Sequence, residues 1–182
     1  MGRRGSRGTG GGDGAKRKKI TVTPIARGPD GGPEPYAILD RLAADVRPDL
    51  VEVKIALAWK RGWTIDPDGL LKAGKCCKPA EVHRQLMEFD IVILLNEDLW
   101  PVLKPKQREE LVFHEMTHVA VVLDKTGEVK RDDRGRTVVR IRKHDIEEFR
   151  MVRARYGQDN LRSVGASVLS KSKEPLLAHR EA

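Results

Sequence analysis

The stretch Leu111-Val-Phe-His114-Glu115-Met116-Thr117-His118-Val-Ala-Val-Val-Leu123 decides how the rest of the chain is read. Two histidines four apart stand about one turn apart on one face of a helix, close enough to hold the same metal ion. Glu115 then lies beside any water that such a metal binds, which is the general-base position of an H-E-x-x-H helix. A surface helix can carry two His and a Glu by chance. Here both flanks are apolar, from Leu111, Val112 and Phe113 on one side to Val119 through Leu123 on the other. The spacing therefore predicts a buried helix from Pro105 through Leu123, and buried ionisable groups need partners. Pro105 suits a first helical position, and Glu109 and Glu110 favour the helix N-terminal half.

Composition sets the frame. A chain of 182 residues that is 39% hydrophobic suits one domain with appendages. No apolar run approaches the ~18–20 residues of a membrane span, and no signal-like segment opens the chain, so we expect no membrane association and a cytoplasmic protein. Cys76 and Cys77 are the only cysteines. Neighbours in a strand point to opposite faces, which makes a stapling disulfide improbable and a reducing compartment the better fit. The net charge of +8 is concentrated in residues 1–19, where seven basic side chains oppose Asp13 alone. Such an arm can contact nucleic acid through its phosphates or can simply keep the chain soluble.

The chain divides into a disordered basic tail (1–19), a Pro/Gly-rich linker (20–35), one folded domain (36–157) and a flexible C-terminal tail (158–182). Within the domain, Tyr36, Ile38, Leu39, Leu42 and Val46 are spaced as a helix that Pro48 ends. Val51–Lys60 alternates as a strand, Lys75–Arg84 reads as a weaker strand, and Phe89–Asn96 reads as a strand buried on both faces. Glu128–Lys143 reads as a hairpin turning at Asp132–Gly135. His144–Tyr156 follows as a helix with Ile146, Phe149, Val152 and Tyr156 on one face. The fold class is α+β: an N-terminal helix, about three strands, the metal helix, a hairpin and a second helix.

One further motif competes for attention. Gly69–Cys76 falls one residue short of a phosphate-binding loop, with Cys76 where a magnesium-binding Ser or Thr belongs and no strand leading in. That missing context argues against a nucleotide site.

A catalytic zinc takes three protein ligands and a water, so His114 and His118 need a third partner. His83 and His179 are expected on the surface. His144 opens the helix that the hairpin carries back towards the first, and Glu147 and Glu148 lie one turn further along the same side. His144 or one of those two carboxylates can complete the set. A remaining carboxylate, or Asp145, can orient a ligand imidazole through its second nitrogen.

These residues carry a resemblance. His114-Glu-Met-Thr-His118-Val-Ala followed by His144-Asp-Ile-Glu-Glu-Phe149 resembles the SprT-like minimal zinc metalloproteases, although Asp145 stands where a Gly commonly follows the third His. More extensively, Tyr36 through Gly157 is similar to the phage metallopeptidase family. The similarity includes Ala58-Trp-Lys-Arg-Gly-Trp63, Phe89–Pro101 and Lys143–Phe149. It implies a small zincin-like domain, phage- or prophage-encoded, with Zn2+ held by His114, His118 and His144. It also implies a protein or peptide substrate met in the bacterial host cytoplasm. Under that expectation Glu115 takes a proton from the attacking water and returns it to the leaving amine, with Tyr156 or a hairpin arginine as candidate donors to the oxyanion. Two other functions are compatible with the same residues: a DNA-associated zinc-binding module, and a non-catalytic phage regulator of a host protein.

Overall fold

A computed structural model of the chain describes residues 19–28, 32–65, 71–144 and 150–156. Its core is a four-stranded sheet in the order β1-β2-β4-β3, built from β1 (Thr21–Pro24), β2 (Ile55–Arg61), β3 (Gly74–Cys77) and β4 (Ile91–Asn96). β2 and β4 run parallel at the centre, with Leu57 opposite Ile93, and β1 and β3 are antiparallel edges. One face of this sheet carries Ile55, Leu57, Ile91, Ile93 and Leu95, all buried. Two helices, α1 (Glu34–Asp45) and α3 (Pro105–Thr117), contribute Leu39, Leu42, Val112, Phe113 and Met116 to the same core. On the other face Val92 and Leu94 are only half-buried, so β4 is fully covered on one side rather than two.

α1 begins at Glu34, where Pro33 and Pro35 preset the helical entry, and ends just before the 3-10 turn at Pro48–Leu50. Tyr36 ties it to the sheet: its hydroxyl accepts the Leu57 N–H at 3.0 Å. The segment expected to be a linker from residue 20 opens instead with β1, whose residues pair with Ala58–Arg61. A four-residue β-branched run, Ile20-Thr-Val-Thr23, is too short to show periodicity, and its pairing partner decides its structure.

Two further boundaries differ from the sequence reading. The Lys75–Arg84 strand stops at Cys77. Beyond Pro79 comes α2 (Glu81–Met87), so His83 lies exposed on a helix. α3 stops at Thr117, six residues before Leu123, and Val119–Val121 becomes β5, paired antiparallel with β6 (Val139–Ile141). A continuous apolar run does not by itself distinguish helix from strand. Here the β-branched Val119 and Val121 find a partner strand, and the strand prevails.

β5 and β6 are the base of a longer arm, continued by bridges at Leu123–Val129 and Arg131–Thr137. The Asp132–Gly135 turn forms as expected. Asp132 Oδ1 accepts the Arg134 and Arg136 N–H groups, and Gly135 takes a φ of 74° that other residues adopt poorly. The arm is anchored to α2 by Arg84, 3% exposed, which bonds the buried Asp90 at 2.8 Å and reaches Asp132 at 3.4 Å. A last helix, α4 (Arg150–Tyr156), packs Val152 and Tyr156 against the core. The tails beyond residues 19 and 156 lie outside the described residues, as do Asp145, Ile146, Glu147, Glu148 and Phe149.

Candidate metal centre

The site forms where α3 ends. His114 and Glu115 sit in its last full turn, and His118 is the residue at which the chain leaves the helix for β5. β6 runs back alongside β5, and three residues beyond its end it delivers His144. The hairpin thus closes a gap of 26 positions with an antiparallel ladder that fixes the direction of return.

The structure brings His114, His118 and His144 together, with one ligand nitrogen from each lying within 4.8 Å of the others. His114 Nε2 and His144 Nε2 are 3.2 Å apart. With zinc–nitrogen bonds of about 2.0–2.1 Å, two corners of a tetrahedron stand about 3.3 Å apart, so this pair already has the spacing of two ligands on one ion. His118 is oriented by its other nitrogen: Nδ1 lies 2.9 Å from the Arg142 carbonyl. A carbonyl can only accept, so Nδ1 carries the proton and Nε2 presents its lone pair. A second-nitrogen hydrogen bond of this kind is the usual support of a metal-bound imidazole. The three histidines therefore fit a divalent metal by donor type and by spacing, and His118 also by tautomer. Glu147, Glu148 and Asp145, the other candidates from sequence, fall outside the described residues.

Glu115 is 4% exposed and turns towards β3. Its carboxylate lies where Gly74 has no side chain: a β-carbon at that position would stand 2.8 Å from Glu115 Oε1 and 3.1 Å from its Cδ. Gly74, read from sequence as part of a near phosphate loop, is thus a strand residue that leaves room for the glutamate. No helix follows Lys75, as a phosphate loop requires. Cys76, two residues on and facing the same way, has its thiol pushed well above the usual range, first by burial and then by the neighbouring Glu115 charge. Cys77 is raised too, chiefly by burial. Both therefore remain protonated thiols at neutral pH, which suits packing better than ligation or redox chemistry.

The structure assigns Tyr156 differently from the sequence reading. Its hydroxyl donates to Glu109 Oε1 at 2.8 Å, and its ring packs on Phe113. Burial and that carboxylate hold the phenol up at about 12. Residues 109 and 113 share a helix face about 100–140° round from His114, which turns the phenol away from the histidines.

Sequence reasoning missed Arg47 at this centre, and it offered Arg142 only among the hairpin arginines as an oxyanion donor rather than as a partner of the helix end. Arg47 Nη1 and Nη2 donate to the carbonyls of Met116 and Val119, and Arg142 Nε donates to that of Thr117. Nothing in the local pattern around either arginine marks a contact so distant in sequence.

An α+β domain with three histidines gathered at the end of a helix defines a class of protein equipped to hold a single metal ion. Comparison with protein families places the chain within that class. It belongs to the family described as "Putative phage metallopeptidase", whose model matches residues 33–169. No curated protein and no solved structure matches the chain. Among the described residues, no helix is long and apolar enough to cross a membrane.

Proposed function

We propose that the protein is a zinc-dependent peptidase in which His114, His118 and His144 hold the metal and Glu115 is the general base. The observation that carries this reading is the 3.2 Å spacing of the His114 and His144 Nε2 atoms, with the buried Glu115 next in sequence to one of them. Family membership supports the activity class. When bound, zinc supplies Lewis acidity, which brings an attacking water's pKa to about 7 and polarises a scissile carbonyl.

The protein's own residues do the rest. Glu115 accepts the proton of the attacking water at a carboxylate oxygen and later delivers it to the leaving amine. Gly74 gives that carboxylate its space. The outer edge of β3 has no strand neighbour among the described residues, and the face of this strand at Gly74 lies against Glu115. An extended peptide added along that edge would be held by main-chain hydrogen bonds with its backbone near the base. The test is Glu115→Gln: zinc is retained while hydrolysis of a defined peptide falls by at least about 10²-fold, the lower range for general-base catalysis. Undiminished hydrolysis with zinc bound would contradict the mechanism.

The basic arm of residues 1–19 supports a separate proposal, contact with nucleic acid. Deleting residues 1–19 should abolish DNA binding, and binding by the full chain should weaken steeply with salt. Salt-independent binding that survives the deletion would oppose it.

A further inference from the structure

Ending a helix at a metal ligand leaves a problem. The last four carbonyls of a helix have no partner within it, and they carry the negative end of its dipole. In this fold the carbonyls of Met116 and Thr117 at the helix end, of the capping His118 and of Val119 in β5 are all taken by two arginines, the His118 carbonyl by a backbone N–H that extends the β5–β6 ladder. Arg47 Nη1 donates to Met116 at 2.9 Å, and its Nη2 donates to Val119 at 2.8 Å. Arg142 Nε donates to Thr117 at 2.7 Å, and the Arg142 backbone N–H donates to His118 at 2.9 Å.

Each arginine is itself held. Arg47 is 7% exposed and forms a two-bond pair with Asp49, at 2.8 and 2.7 Å. Asp49 lies in the 3-10 turn that follows α1, so this anchor belongs to the body of the domain. Arg142 lies one residue beyond β6 and two before His144. Its own carbonyl accepts the His118 Nδ1–H, so this one residue grips His118 through backbone and ring.

We propose that Arg47 and Arg142 are positioning residues for the metal centre, a two-arginine clamp that fixes where the helix ends and how His118 and His144 face each other. The clamp rests on the metal reading given above and adds to it. A cap made only to finish a helix would need no connection to the third ligand. Here Arg142 joins the two, because the segment that caps α3 is the segment that delivers His144.

The test is Zn2+ affinity of the full-length chain, measured by competition with a chromogenic chelator, beside the melting temperature of the metal-free protein. In Arg142→Met the backbone bonds to His118 remain, and the Thr117 contact is lost together with the guanidinium's other contacts, among them Met151 Sδ at 4.0 Å. The clamp predicts Zn2+ binding weakened about 10- to 100-fold, as for other residues that orient metal ligands, with the metal-free melting temperature close to that of the parent. Arg142→Lys, which can still reach the Thr117 carbonyl with one donor, should recover part of the affinity. It also serves as the readout should the methionine variant fold poorly. With Co2+ in place of Zn2+, the visible absorption of the Arg142→Met protein should be weaker or shifted, reporting altered ligand geometry.

Parent-like Zn2+ affinity in both Arg142 variants would overturn the clamp and leave the metal reading intact. A parent that binds Zn2+ no better than His118→Ala would overturn both.

Discussion

Gly74 and Glu115 share one space: a β-carbon on the glycine would stand 2.8 Å from the glutamate's Oε1, closer than such contacts occur. β3 and α3 are therefore fitted to each other at the residue proposed as the base. Gly74→Ala must displace the carboxylate or spread strand from helix, at a cost of about 1–3 kcal/mol typical of overpacking. We expect peptide hydrolysis to fall at least about tenfold, from misplacing the reacting group, with metal content unchanged. Zinc analysis and kcat/KM on one preparation check both halves.

Tyr156 offers the converse case. Its hydroxyl is committed to Glu109, which also pairs with Arg41 at 2.9 Å. Tyr156→Phe should lower stability by about 0.5–1.5 kcal/mol, the net worth of one hydrogen bond, and leave kcat/KM within about twofold of the parent. A large loss of activity at unchanged stability would return the phenol to the active site.

The arm that delivers His144 depends on Arg84. Removing one partner of a buried ion pair strands the other, which costs about 3–5 kcal/mol. Arg84→Ala leaves the carboxylate of Asp90, 1% exposed, to lean on the Lys54 N–H, and it removes one of the links between α2 and the arm's turn, that to Asp132. Urea denaturation should show a loss of that size. Arg84→Met with Asp90→Leu should recover much of it, because no charge then remains buried.

Two of the carboxylates held below their usual range, Asp49 and Glu109, contribute to stability against acid. The Arg47 hydrogen bonds hold Asp49 below its usual 3.8. Burial opposes ionisation of Glu109, yet hydrogen bonds from Arg41 and Tyr156 bring it below its usual 4.5. A depressed folded pKa means that the stabilisation is complete above the unfolded value and is lost as pH falls through the folded one. Denaturant midpoints should thus hold steady down to about pH 5 and decline below it. Asp49→Asn should flatten part of that decline. Its carboxylate is 45% exposed, so the effect is the smaller share.

How much of this was legible beforehand follows from the range of each interaction. The His114–His118 spacing and the return of His144 across a hairpin are local patterns, and the structure assembles them. α1 and the strand at Ile91–Asn96 were legible for the same reason. The end of α3 was not, because Val119–Val121 suits either helix or strand until β6 is beside it. β1 and α2 were hidden by short length and by the Pro-rich segments around them. Gly74 was seen in the wrong context, since its reason is a glutamate 41 positions away. Arg47 could not be found at all, because its partners lie 69 and 72 positions along the chain.

The most direct measurement is metal content of the purified chain, taken by elemental analysis beside His144→Ala and Glu148→Ala. The account predicts about one zinc per parent chain, as a single three-histidine site requires, with little in the His144 variant and a parent-like content in the Glu148 variant. Zinc retained without His144 and lost without Glu148 would contradict it.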